Sequence, residues 1–293
     1  MFPFSIELLG VQLVNGIVLG MIFALIAMGL SLIFGLMGVV NFAHGAFYAT
    51  GAYLGCTLVG LTGGNFWVAL IIAPILVGAI GAIAERGLFS RIYGMPKYFQ
   101  IFLSFGLILT MTETIRIVWG ILAQTFVCPI ELNFMISLGF FSYPFYRIFV
   151  ISFAALLAIS VWIFLQKTEL GLIIRAGIDD REMVEGLGIG LSNVYTFTFS
   201  LGTAIAGLSG VMAGPIVLVY PEMSYDIIIK AFIVVIVGGL GSFRGPIISA
   251  LILMTLSTLT VLIWPPLSEI VIYIFMAIFL IIRPTGLFGQ RVF

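Results

Sequence analysis

The sequence predicts an all-α membrane protein, a polytopic transmembrane helical bundle of eight or nine spans that includes interrupted helices. Three observations predict it. Hydrophobic residues make up 62% of the 293-residue chain and charged residues only 8%, where soluble domains carry about 25% charged residues. No Asp, Glu, Lys or Arg occurs between Glu7 and Glu85, and a helix needs only about 20 apolar residues to cross the hydrocarbon core. Stretches such as "GIVLGMIFALIAMGLSLIFG" are apolar on every face, whereas the strands of a membrane barrel alternate polar and apolar residues.

The apolar runs place spans near residues 8–36, 42–60, 66–84, 100–122, 146–165, 194–218, 226–241, 247–264 and 268–282. The amino terminus, "MFPFSIELLG", lacks the basic n-region of a cleavable signal peptide, so the first run is expected to stay as a mature helix. Glycines are frequent and often spaced as small-xxx-small, as in Gly16 with Gly20 and Gly78 with Ala82, which favours close helix packing in lipid. Cys56 and Cys128 fall in or near apolar segments without CxxC or Cys/His spacing and are read as packing residues. Basic residues then orient the chain by the positive-inside rule. Arg86, Arg91 and Lys97 mark one cytoplasmic loop, Lys167, Arg175 and Arg181 another, and Arg283 and Arg291 the carboxyl terminus. With nine spans, this parity puts the amino terminus outside and the carboxyl terminus inside. The whole chain, 1–293, is expected to form one transmembrane domain, with residues 166–193 as a cytoplasmic loop within it.

That loop contains "RAGIDDREMVEGLGI", residues 175–189, where six ionisable residues crowd into fifteen positions. Its centre reads as a short helix: Asp179 caps the amino end, Glu182 stands at the third helical position and Ile178 staples onto Met183. Gly186 and Gly188 end it. About two turns cannot stand alone in water, since isolated helices need roughly 12 to 15 residues. Met183, Val184 and Leu187 form a small apolar face at helical spacing, with Asp180, Arg181 and Glu185 left for solvent or a partner. Spacing alone allows either a connector lying against the membrane or a helix docked on another subunit.

Several functions are disfavoured by what is absent. Lys97, Lys167 and Lys230 do not follow a glycine, so there is no GxxxxGK[ST] phosphate loop and any ATP must be used by a partner. His44 is the sole histidine, and no Cys/His or paired-carboxylate cluster points to an intramembrane enzyme or a metal site. Ion-coupled transporters carry ionisable residues deep in their spans; the candidates here, Glu113 with Arg116, Asp226 with Lys230, and Glu269, lie near span ends. The two pairs have i,i+3 and i,i+4 spacing and are expected to neutralise themselves on one helix face. A self-sufficient channel or secondary transporter stays the main rival to a subunit of an ATP-driven machine.

Two polar, glycine-bearing interruptions remain. Residues 35–53, "GLMGVVNFAHGAFYATGAY", set Asn41 and His44 in an apolar region, and residues 237–246, "VGGLGSFRGP", carry four glycines, a serine and an arginine. Non-helical backbone at membrane depth is tolerated only where it is buried in protein or lines a cavity, and broken helices are a recurring transporter device. His44 on its own reads as a hydrogen-bonded buried imidazole, and Arg244 as a cytoplasmic-edge anchor.

"GVVNFAHGAFYATGAYLG", "RAGIDDREMVEGLGIG" and "VVIVGGLGSFRGPIISA", in this order and at these separations, resemble segments of the LivH-type permease of bacterial branched-chain amino-acid ABC transporters, and the resemblance spans essentially the whole chain. It implies a subunit of the bacterial cytoplasmic (inner) membrane that pairs with a second, LivM-type permease. It also implies two cytoplasmic ATPase subunits, which use ATP and Mg, and a periplasmic or extracellular solute-binding protein; besides lipid, no nucleic acid, cofactor or metal is implied for this chain. By that match Arg175, Asp179, Asp180, Arg181, Met183, Leu187 and Gly188 form the ATPase contact, and Asn41, His44, Gly238, Gly239, Gly241 and Ser242 shape the translocation path. Two positions depart from the family pattern. Ala46 stands where an acidic residue often follows NFAHG, and Gly186 where a larger apolar residue is common. Relatives in the wider family handle urea, amides, other amino acids and small organic acids, so the resemblance alone leaves the substrate open.

Overall fold

A computed structural model describes residues 5–288 apart from 138 and 140; Arg291, counted above among the inward basic residues, lies outside them. Nine helices coincide with the nine expected spans: α1 (Ile6–Met37), α2 (His44–Leu61), α3 (Phe66–Gly87), α4 (Lys97–Trp119), α5 (Phe145–Lys167), α8 (Leu191–Ala213), α9 (Met223–Gly238), α10 (Arg244–Ile263) and α11 (Leu267–Ile282). Two short helices, α6 (Glu169–Asp179) and α7 (Arg181–Gly186), occupy the charged loop. Six helices, α1, α3, α4, α5, α8 and α10, are long and apolar enough to cross a bilayer by themselves. α9 and α11 have 16 residues each.

Helix ends follow local backbone chemistry, and this is where hydropathy misplaces them. Ser5 caps α1 by accepting from the Leu8 amide at 3.2 Å, and Asn65 caps α3 through the Trp67 and Val68 amides. The run expected to continue to residue 122 stops at Trp119, because Gly120 takes φ +88° and breaks the helix. Likewise α8 ends at Ala213 instead of reaching 218, since Pro215 has no amide with which to continue the helical ladder. Apolar side chains continue past each stop, so a hydropathy window cannot see it.

One loop carries structure that its apolar pattern did not mark. Residues between α4 and α5 carry a small antiparallel hairpin, β1 (Met135–Ser137) with β2 (Ser142–Pro144), in the register Met135 to Pro144. It is the one sheet among the described residues of a bundle that is otherwise helical.

α1 is the central post. From Gly16 onward it is buried on nearly every side, which explains an apolar sequence with no favoured face. Without a hydrophobic force between helices in lipid, close packing through small residues holds such a bundle together. Gly16 and Gly20 meet the α10 backbone at Thr255 and Leu251, and Gly29 meets the carbonyl of Gly202 on α8. Gly78 likewise packs on Ser200 and Ala204 of α8, and Gly81 on Thr203. Outward faces of α3, α4, α5 and α11 expose large apolar side chains such as Ile71, Phe102, Leu156 and Ile281, as lipid or membrane-embedded partners require.

Candidate functional site

The break after α1 begins at Gly38, whose left-handed backbone (φ +65°) closes the helix with its amide on the Phe34 carbonyl at 2.8 Å. Residues 39–43 then run back along α1, because His44, the first residue of α2, places Nε2 3.1 Å from the carbonyl of Ile26. Eleven residues of helix correspond to about 16 Å of rise, so α2 starts well inside the thickness of the bundle. The doubled-back backbone is paired: Ser104 donates to the Val40 carbonyl at 3.0 Å and the His44 amide to the Asn41 carbonyl at 3.3 Å. A carbonyl partner requires Nε2–H as donor, which leaves Nδ1 as a bare acceptor. Nδ1 and both side-chain polar atoms of Asn41 are buried without a partner. Buried polar groups left unpaired cost about 1 to 3 kcal/mol each, so this is a place where the fold holds polar capacity in reserve.

α2 is locked in place by glycines. A Cβ at Gly45 would lie 2.0 Å from the Ser224 carbonyl oxygen, and one at Gly51 2.2 Å from that of Gly207. Ala46 is fully buried beside them, so the acidic residue common at this position elsewhere would find itself inside a packed core here.

The second glycine-rich stretch forms the turn between α9 and α10, two antiparallel helices tied by Ser249 Oγ donating to the Val234 carbonyl at 2.6 Å. Gly239 and Gly241 adopt φ +103° and +78°, a region closed to most side chains. Ser242 Oγ accepts from the Gly245 amide at 3.2 Å, and the Gly238 and Gly245 backbones touch. This turn docks on α1: Ser31 donates to the Ser242 carbonyl at 2.8 Å, and Gly241 packs on Gly35. Ser31 lies two residues beyond Gly29, which meets the His44 ring, and residues two apart on a helix face different ways. The residues grouped above as one path therefore form two clusters, Asn41 with His44 on one face of α1 and residues 238–242 on another.

The turn is instead brought to the charged loop. Ile178 of α6 packs on Gly35 next to Gly241, and a cavity of about 230 Å³ between α1, α5, α6 and the turn is lined by Ser31, Trp162, Gln166, Arg175, Asp179 and Phe243. Arg175 donates to Gln166 Oε1 at 3.0 Å, while its Nε is buried without a partner. The loop itself corrects the expected helix by one residue. Asp180, not Asp179, accepts from the Met183 amide at 2.9 Å and caps α7. Asp179 instead ends α6, a helix that sequence reading missed although Thr168 caps it through the Gly171 amide. Ile178 therefore does not staple onto Met183. Of the apolar triplet, Val184 alone packs inward; Met183 and Leu187 are 63% and 72% exposed. Gly188 makes the exit with φ +82°.

Residues to which sequence reading gave no site role form a clamp beside this loop. Glu85, near the end of α3, is 1% exposed and accepts from Tyr93 Oη at 2.5 Å and Thr196 Oγ1 at 2.6 Å. Arg86 donates to Thr196 and Asn193 at the start of α8. Tyr93 stacks edge-on with Tyr195 at 5.3 Å, and the Arg181 guanidinium lies 5.2 Å over the Tyr195 ring while bonding Glu185. Burial, then the Glu85 hydrogen bond, push the Tyr93 hydroxyl above the ordinary phenol range, so it remains a donor at any physiological pH. The one available signal was Glu85 itself, the first charge after a run of 77 neutral positions.

The opposite end corrects one of the two expected ion pairs and keeps the other. Asp226 and Lys230 do not pair with each other; Asp226 accepts from Tyr220 Oη at 2.6 Å, and Lys230 faces Glu269 at 3.7 Å. Arg116 does bind Glu113, and also Glu222 at the start of α9. No group of three or more His, Cys, Asp or Glu is placed to hold a metal among the described residues.

A helical membrane bundle whose second helix starts inside its thickness, with a charged clamp gripping one end, has the build of a solute permease. The family model for "Branched-chain amino acid transport system / permease component" matches residues 12–280, and the chain belongs to that family. It is similar over 95% of both chains to the high-affinity branched-chain amino acid transport system permease protein BraD of Pseudomonas aeruginosa, at 26% identity. It is 27% identical to LivH of Escherichia coli, again over 95% of each chain. The LivM permease protein of Escherichia coli is 28% identical across 80% of this chain and 60% of its own length.

Proposed function

We propose that this permease is one half of the membrane core of an ATP-driven importer of branched-chain amino acids, and that α6 and α7 are the seat of a cytoplasmic ATPase. The carrying observation is the α7 surface: Met183 on this six-residue helix and Leu187 at its carboxyl cap stand exposed, while Val184, the Asp180 cap and Arg181 anchor the helix. Such a helix is too short to hold itself, and its exposed apolar pair flanked by charge suits a docking groove. Family membership supports the substrate class and is consistent with these partner types. LivH and LivM, two chains of one organism named as permease proteins of the same system, are both similar to this chain, which supports pairing with a second, related permease. Two ATPase subunits using ATP and Mg and an external solute-binding protein complete the assembly in the bacterial cytoplasmic membrane, with the amino terminus outside and the carboxyl terminus inside.

In this reading ATP-driven closure of the motor pushes α6. Ile178 passes that push to Gly35 of α1 and to the turn at Gly241, and α1 carries it toward the break that holds Asn41 and His44. The unpartnered polar atoms of those two residues then serve the path when the helices part. Arg175, Asp179, Asp180 and Arg181 shape the contact, and Gly188 and Gly238 to Ser242 allow the bends. The test is Met183→Glu and Leu187→Glu in the complex reconstituted with its partners. Both variants should insert and assemble normally, yet lose substrate-stimulated ATPase and uptake about tenfold or more, the scale of one lost interface anchor. Unchanged stimulation would overturn the docking assignment, and uptake without ATP would overturn the importer reading.

A further inference from the structure

We propose that the cavity between α1, α9, α10 and α11, at the end of the bundle away from the clamp, is a binding site for an α-amino-acid zwitterion with an apolar side chain. The proposal rests on the importer reading and names where its cargo is held within this chain. The cavity measures about 420 Å³, within the range of about 300 to 1,000 Å³ typical of small-ligand sites. It runs from the start of α9 to mid-depth, where it is floored by Tyr48 and walled by Ile22, Phe23 and Met254.

Its polar groups are the complement of a zwitterion. Lys230 supplies one cation; Asp226, on the same face of α9 by i,i+4 spacing, and Glu269, across on α11, supply two carboxylates. An amino acid presents a carboxylate and an ammonium on one carbon, so its site must offer both signs within a short reach. The 3.7 Å Lys230–Glu269 separation exceeds hydrogen-bond length, so the ammonium donors of Lys230 are not consumed by that pair and are available to a carboxylate. Asp226 is oriented by Tyr220, whose hydroxyl burial and the Asp226 bond push up to about 12, keeping it a donor. The ligand ammonium lies between Asp226 and Glu269, and its side chain points down the Ile22, Phe23 and Met254 wall.

The full chain in lipid nanodiscs, probed by saturation-transfer NMR, tests the assignment with L-leucine, leucinamide (no carboxylate) and 4-methylpentanoate (no ammonium). L-Leucine should bind, and each analogue about tenfold more weakly, the scale of one lost charged partner. Lys230→Gln should bind leucine and leucinamide alike, whereas Lys230→Arg should keep the preference. Asp226→Asn with Glu269→Gln should bind leucine and 4-methylpentanoate alike. Met254→Trp, which fills the wall, should abolish the leucine signal in a protein that still elutes as one species. Equal binding of leucine and leucinamide to the native chain, or an undiminished preference in Lys230→Gln, would overturn the site. ATP-driven leucine uptake by the native complex is measured alongside: uptake without the preference sinks the cavity alone, and the preference without uptake sinks the importer reading alone.

Discussion

At the residue scale, glycine carries two separable jobs. Gly38, Gly239 and Gly241 supply left-handed backbone where helices must stop, while Gly45, Gly51 and Gly210 let α2 approach α8 and α9 until backbones touch. Gly51→Ala should therefore cost at least about 2 kcal/mol, since overpacking against backbone has no side chain to yield. Gly60→Ala, in the same helix with nothing within 4 Å, should be neutral or stabilise by up to about 1 kcal/mol. Thermal unfolding of the solubilised protein, followed by size-exclusion fluorescence, separates the two. Residue identity also decides the cap. Asp180→Ala should weaken α7 by about 1 kcal/mol, seen as faster amide exchange at Met183, whereas Asp179→Ala should leave that amide unchanged. Sequence reading put the cap at Asp179; the backbone, extended at Asp180 (φ −152°) and helical through Asp179, moves it by one residue.

At the element scale, α6 and α7 matter because of what holds them. The loop was legible as charged, glycine-ended and partly helical, but not as two helices packed on α1, α5 and α8 and tied by Arg181 to the Tyr195 ring beside Glu85. Its grip is Glu85, which draws hydroxyls from a loop residue, Tyr93, and an α8 residue, Thr196, more than a hundred positions apart. Long-range pairing of this kind leaves no periodicity to find. Tyr93→Phe keeps the ring stack on Tyr195 and removes one donor from the buried carboxyl, for a cost of about 2 kcal/mol. Exchange protection across residues 181–186 should fall with it, while the α2 core keeps its own; equal loss in both would mean a general destabilisation instead of a loosened clamp. The α9–α10 turn gives the same lesson in reverse. Its glycines were legible as a bend, whereas its seat on Ser31 and Gly35, beside α6, follows from how α1 is rotated.

At the scale of the whole molecule, α1 packs against α5, α6, α8, α9 and α10, and the two ends differ in kind. One end gathers α6, α7 and the α9–α10 turn; the other gathers the hairpin of β1 and β2, the loop before α9 and the Lys230 cavity. Phe134→Cys and Leu187→Cys on a Cys56→Ala, Cys128→Ala background test which end faces which side. A membrane-impermeant maleimide should label Cys at 134 in right-side-out spheroplasts and Cys at 187 only after permeabilisation; the reverse would overturn the orientation. The helical class and the places of both glycine-rich bends were determined by the sequence alone, because apolar length and glycine act locally and leave their mark where they act. Which helix became the buried post, which aspartate capped, how residues 238–242 parted from Asn41 and His44, and which partner Lys230 took were decided only by the tertiary structure. Those outcomes depend on rotation about helix axes and on contacts between residues far apart in the chain, and an apolar sequence with no favoured face holds no record of rotation.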